Sequence, residues 1–248
     1  MSISVFTELL DKTQDYQAGY CVLVDPDTWR LEQVPALTRA ICSGGADAIL
    51  VGGSLAISAD WAEKMAALHQ AATVPVLLFP GSLLQLTPDV DAVLFLSLLS
   101  GRNPRYLIGE QVQAAPRLKQ WGLESIPTAY LLVESGQVTT VEFISDTRPL
   151  PRHKPEIAVA HALAAEFLGF KLIYLEAGSG ASQTVPPAMV RAVKSQTKLP
   201  LMVGGGIKNP EQARELVAAG ARFIVIGNAL EDENVQEKIH HFADAIHG

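Results

Sequence analysis

Short apolar runs alternate with stretches that carry hydrophobic residues at three- and four-residue steps. The runs are Tyr20–Val24, Ala48–Val51, Val76–Phe79, Ala92–Leu96, Pro127–Val133, Lys171–Leu175, Pro200–Val203 and Arg222–Ile226. Each is nearly continuous in apolar residues, as expected of parallel strands covered on both faces. Leu31, Val34, Leu37 and Ile41 place one apolar stripe on a helix after the first strand. Further helices are predicted over Ala59–Ala71, Pro104–Trp121, Glu156–Leu168 and Pro187–Gln196. After the seventh strand, Asn209 is placed to cap a helix, Pro210 to start it, Gln212 to complete a capping box and Gly220 to stop it.

The alternation fails once. Ser82–Asp91, between the third and fourth strands, contains Pro88 and has no room for a crossover helix. The connection is nevertheless apolar, with Leu83, Leu84, Leu86 and Val90. After strand five, Ser135-Gly136 followed by Val138–Ile144 reads as a β-hairpin extension. Eight strands with helical crossovers predict an α/β fold, a (β/α)8 barrel lacking its third helix. Residues 1–248 read as a single domain, and an open doubly wound sheet is the main rival.

Composition narrows the function. The chain has 248 residues, 48% hydrophobic and 18% charged, which excludes a mainly disordered state. The net charge is −7, against a nucleic-acid groove binder. Cys21 and Cys42 form no metal-type spacing and read as reduced thiols in or near the core. Neither a signal peptide nor a membrane span is evident, so a cytoplasmic protein is expected.

In a barrel, chemistry gathers where the strands end. Those ends carry Asp25 and Asp27, Gly53 and Ser54, Glu176 with Gly178–Gly180, Gly204–Gly206, and Gly227 with Asn228. The glycines after strands seven and eight suit a phosphate cradle of backbone N–H groups. Ser179 and its neighbours extend it. Asp25 is either a cap or a hard oxygen ligand for Mg2+, with Ser54 as a second oxygen. Glu176 is the best general base, against a purely structural carboxylate. The histidines lie away from the strand ends, no lysine occupies the second half of a strand, and no dinucleotide fingerprint occurs. Zinc, Schiff-base and NAD chemistry are therefore disfavoured.

Tyr174-Leu175-Glu176-Ala177-Gly178-Ser179-Gly180-Ala181, Val203-Gly204-Gly205-Gly206-Ile207 and Ile226-Gly227-Asn228 resemble the geranylgeranylglyceryl phosphate synthase family, which includes the PcrB-type heptaprenylglyceryl phosphate synthases. Leu94–Pro104, Ile126–Tyr130 and Pro155–Leu163 are similar to it as well. The resemblance implies a prenyltransferase. The C3 hydroxyl of sn-glycerol 1-phosphate would attack C1 of a prenyl diphosphate, forming an ether and releasing diphosphate. By position, Asp25 and Ser54 would hold Mg2+ on the diphosphate. Tyr174, Leu175, Glu176, Ala177, Gly178, Ser179, Gly180, Gly205, Gly206, Gly227 and Asn228 would bind glycerol phosphate, and Glu176 would activate its hydroxyl. The family barrel also lacks the third helix, leaving an apolar groove along Leu83, Leu84 and strand four. Where the family often has lysine after Asp-Pro-Asp, this chain has Thr28, and the basic loop Arg148–Lys154 is a candidate substitute. A geranylgeranyl donor is favoured over a longer heptaprenyl one. A homo-oligomer is expected, a hexamer being one form. The rival readings are a phosphosugar isomerase or lyase, and a carrier of prenyl diphosphate without turnover.

Overall fold

A computed structural model describes residues 4–53, 58–227 and 235–248. Eight parallel strands close into a barrel in sequence order: β1 (Gly19–Val24), β2 (Ala48–Val51), β3 (Val76–Leu78), β4 (Ala92–Leu98), β5 (Glu124–Leu132), β6 (Leu172–Glu176), β7 (Leu201–Gly204) and β8 (Phe223–Ile226), with β8 paired to β1. Strand alternation sends one set of side chains inward and the other toward the helices. Cys21, Leu50, Leu77, Leu94, Ile126, Leu172, Met202 and Phe223 belong to the inner core. Val22, Ile49, Val93, Ile173, Val203 and Ile224 belong to the outer one.

The helices are α1 (Val5–Asp15), α2 (Val34–Ser43), α3 (Trp61–Ala71), α4 (Glu110–Trp121), α5 (Thr140–Ser145), α6 (Pro155–Phe167), α7 (Pro187–Lys194), α8 (Pro210–Ala218) and α9 (Val235–His247). The predicted start of α8 is present: the Asn209 side chain accepts from Gln212 N, and Pro210 opens the helix. The Gln212 side chain reaches back one residue further than a capping box, accepting from Lys208 N at 2.7 Å. The missing third helix is confirmed. A single 3-10 turn, Leu83–Gln85, joins β3 to β4.

Three features differ from the sequence expectation. Val138–Ile144 is not a strand. The Thr139 side chain accepts from Glu142 N and starts α5, which Asp146 ends in a left-handed conformation. Thr and Asp are strong local capping residues, and the apolar positions Val141 and Ile144 lie three apart, which suits a helix. Among the described residues, this loop pairs in a parallel bridge from Val133 to Leu150.

The helix expected from Pro104 begins instead as a π-turn over Arg105–Gly109. Ser97 Oγ donates to the Leu107 carbonyl at 2.7 Å, and Gln111 Nε2 donates to the Tyr106 carbonyl at 3.0 Å. These bonds from β4 and α4 satisfy carbonyls that a regular helix would pair internally.

Helix α1 was not expected. It packs Leu9 into the inner core and so closes the barrel at the end opposite the strand C-termini. The Glu124 carboxylate accepts from Val5 N at 2.6 Å and Phe6 N at 3.2 Å. An acid at a helix N-terminus satisfies orphan N–H groups and opposes the helix dipole.

Candidate active site

The strand C-termini surround a cleft of about 1110 Å3. Glu176, the last residue of β6, points into it and is 4% exposed. Its Oε1 accepts from Gly178 N at 2.6 Å. Burial pushes its pKa up to about 6, while the neighbouring Tyr174 phenol and the Gly178 N–H temper the rise. No lysine or arginine pairs with it among the described residues. It is thus a carboxyl poised to exchange a proton near neutrality, unlike a salt-bridged structural acid.

Beside it lies the glycine cradle. Gly178, Gly180, Gly205 and Gly206 have φ of 99°, 69°, 78° and 68°. These left-handed values favour glycine because a Cβ would strain the backbone. The two loops also meet. A Cβ at Gly205 would lie 2.2 Å from Glu176 Oε1 and 2.7 Å from Gly178 N. Ser179, Gly180, Gly205, Gly206 and Gly227 all line the cleft. Asn228 and Ser54 fall outside the described residues.

The remaining members of the predicted set divide by strand alternation. Tyr174 faces the inner core with Glu176, whereas Leu175 and Ala177 pack in the outer core and do not line the cleft. Any contact from those two with a ligand is limited to their backbone. The Tyr174 side chain is fully buried, with its hydroxyl beside the Glu176 carboxyl.

Across the cleft, Asp25 follows β1. Its Oδ1 accepts from Asp27 N at 3.1 Å, so it caps the 3-10 turn Pro26–Thr28. Its Oδ2 faces Gly53, where a Cβ would lie only 2.4 Å away. Asp27 Oδ1 accepts from Ser58 N at 3.2 Å. Among the described residues, no group of three acidic, histidine or cysteine side chains could hold a metal alone. One carboxylate in a glycine-lined recess fits Mg2+, which binds few protein oxygens and shares substrate phosphates and water.

The apolar groove runs away from this centre. Leu83, Leu86, Val93, Phe95, Ala114 and Leu118 line the cleft where the third helix is absent. Leu84 does not join them: it is 79% exposed. A 3-10 turn separates adjacent side chains by about 120°, so Leu83 and Leu84 cannot share one face. The sequence reading also missed Gln85. It is buried, accepts from Gly81 N at 2.6 Å and donates to the Gly53 carbonyl at 2.8 Å, fixing the end of β2. A polar residue set within the leucine run Leu83–Leu86 was the available signal.

The basic loop does not supply the charge absent at Thr28. No residue of Arg148–Lys154 lines the cleft. The Arg152 guanidinium donates to the Glu134 and Thr184 carbonyls, and Lys154 pairs with Glu156 at 3.8 Å. The cleft cations among the described residues are Lys208 and Lys238.

Known proteins agree with this architecture. The PcrB family profile matches residues 12–246. A geranylgeranylglyceryl phosphate synthase of Thermofilum pendens is 44% identical over 233 residues, covering 93% of this chain and 90% of that protein. One from Pyrococcus abyssi is 46% identical over 211 residues, covering 85% and 83%. The crystal structure of (S)-3-O-geranylgeranylglyceryl phosphate synthase from Thermoplasma acidophilum, in complex with its substrate sn-glycerol-1-phosphate, superposes with a TM-score of 0.94 at 35% identity. It covers 99% of both chains. The glycine cradle, the buried acid and the helix-deficient barrel thus belong to a prenyltransferase, and the chain is a member of the PcrB family, together with the geranylgeranylglyceryl phosphate synthases.

Proposed function

We propose that the protein joins a geranylgeranyl group to the C3 hydroxyl of sn-glycerol 1-phosphate in a Mg2+-dependent reaction that releases diphosphate. The observation that carries this reading is the placement of buried Glu176 between a glycine cradle and an apolar groove. A phosphate held by the N–H groups of Gly178–Gly180 and Gly205–Gly206 would put the glycerol hydroxyls within reach of Glu176. The hydroxyl oxygen attacks C1 of the donor as its proton passes to Glu176. The C1–O bond breaks and its electron pair leaves with diphosphate. The prenyl tail lies along Leu83, Leu86, Val93 and Phe95, where burial of its methylenes contributes about 0.8 kcal/mol each.

Asp25, with Ser54 carried over from the family motif, would hold Mg2+ against the donor diphosphate. Charge neutralisation of the leaving group is the chemistry such an ion supplies when bound. The Asp25 carboxylate and the glycine recess at Gly53 support this assignment.

The reading is tested with labelled sn-glycerol 1-phosphate and, in parallel, C15, C20 and C35 prenyl diphosphates, each with and without EDTA. The expected result is a labelled ether formed best from the C20 donor and abolished by EDTA. Preference for C35 would move the protein to the heptaprenyl branch. No ether from any donor would reject prenyl transfer.

A further inference from the structure

Three aromatic rings form the cleft floor beside Glu176. Phe79 directly follows β3, Tyr130 lies in β5 and Tyr174 in β6. Ring centroids are 5.4 Å apart for Phe79 and Tyr174, 5.9 Å for Phe79 and Tyr130, and 5.4 Å for the two tyrosines. The tyrosines are buried, but Phe79 is half-buried and lines the cleft.

Phe79 also stands between the two anion sites. Its carbonyl presses on Gly52, where a Cβ would lie 1.9 Å from the oxygen. Gly53 follows at once and faces Asp25. On the other side its ring packs on Tyr174, whose hydroxyl shares the Gly204 backbone with Glu176: a Cβ there would lie 2.6 Å from the hydroxyl and 3.1 Å from Glu176 Oε2. Among the described residues the cation–ring contacts are Arg105 over Tyr106 and Arg117 over Trp121, so no protein cation covers these three rings.

We propose that the Phe79 ring, backed by Tyr130 and Tyr174, is a catalytic group that stabilises the allylic positive charge developing at C1 and C3 of the prenyl donor. This rests on the prenyl-transfer reading. Heterolysis of the C1–O bond sends its electron pair to diphosphate and leaves positive charge shared between C1 and C3. The glycerol oxygen bonds to C1 as that charge develops, and its proton goes to Glu176. The reacting carbon must lie between the diphosphate site near Asp25 and the hydroxyl near Glu176, and Phe79 reaches toward both, with its carbonyl at Gly52 and its ring at Tyr174. A ring quadrupole attracts a cation, and here the charge exists only near the transition state. The contact therefore raises turnover and leaves ground-state binding unchanged.

The test replaces Phe79 site-specifically with mono-, di- and trifluorophenylalanine, which weaken the quadrupole with little change of size. Single-turnover ether formation and the KM of both substrates are measured in the full-length protein. The expected result is a stepwise fall in rate, reaching about tenfold at the trifluoro ring, with both KM values unchanged. Phe79→Leu should fall at least as far. A rate flat across the fluorine series would overturn the proposal and leave Phe79 as a packing wall. Failure of the unsubstituted protein to make any ether would instead reject the prenyl-transfer reading itself.

Discussion

Glu176 Oε1 takes the Gly178 N–H at 2.6 Å, so the acid at the end of β6 and the first glycine of the following loop form one hydrogen-bonded unit. The same oxygen would lie 2.2 Å from a Cβ on Gly205. A side chain added to the cradle at Gly205 therefore displaces the acid as well.

This coupling makes Gly205→Ala a severe change. The new methyl group meets Glu176 Oε1 and Gly178 N, and the backbone sits at φ 78°. The strain alone costs about 1–2 kcal/mol. The variant is expected to lose measurable sn-glycerol 1-phosphate binding by calorimetry. Gly122→Ala is the control: it has φ 70° but open space around it, so it should lower the melting temperature without changing binding.

The raised pKa of Glu176 dictates two pH effects of opposite kind. As a base it must be ionised, so kcat/KM should fall with unit slope as pH drops below about 6. For stability, a carboxyl whose folded pKa exceeds its unfolded value favours the native state while protonated. That contribution is complete below about 4.5 and is lost as pH rises through about 6. A shift of this size corresponds to about 2 kcal/mol. Glu176→Gln should therefore be more stable than the parent at pH 8 by about that amount, with the gap closing near pH 4. Urea unfolding at the two pH values reads both.

Much of this was legible in the sequence. Continuous apolar runs located all eight strands, and the short, proline-containing segment before β4 revealed the missing helix. The glycines were visible because few residue types suit a strand end that must hold an anion, and Glu176 because an acid ends an apolar strand beside them. What stayed hidden depended on three-dimensional placement. Val138–Ile144 could alternate as a strand or turn as a helix, and the Thr139 cap decided between them. Helix α1 carried its own signal in Ser4, Val5, Phe6, Leu9 and Leu10, but only its fit into the barrel end, anchored by Glu124, explains it. The roles of Gln85 and Phe79 emerge from neighbours far away in sequence.

Asp25 is expected to act on the donor side alone. Asp25→Asn should reduce turnover by at least tenfold at limiting Mg2+, and raising the ion concentration should recover part of it. Its affinity for sn-glycerol 1-phosphate should match the parent, because the cradle lies on β6 and β7. Steady-state rates against Mg2+ concentration, with calorimetry for the glycerol substrate, check both halves.

Gln85 holds the Gly53 carbonyl and the Gly81 N–H from a buried position. Gln85→Leu leaves both backbone groups without that partner, which costs about 1–3 kcal/mol. The melting temperature should drop, and the KM for the prenyl diphosphate should rise more than that for glycerol phosphate. Thermal scans and substrate titrations separate the two effects.

The central claim is that Glu176 takes the proton from the attacking hydroxyl. Its most direct measurement is ether formation by Glu176→Gln, with sn-glycerol 1-phosphate affinity measured on the same preparation. The account predicts affinity near that of the parent and turnover lower by about 10²–10⁴-fold. Ether formation at the parent rate with intact binding would contradict it, because the amide cannot accept that proton.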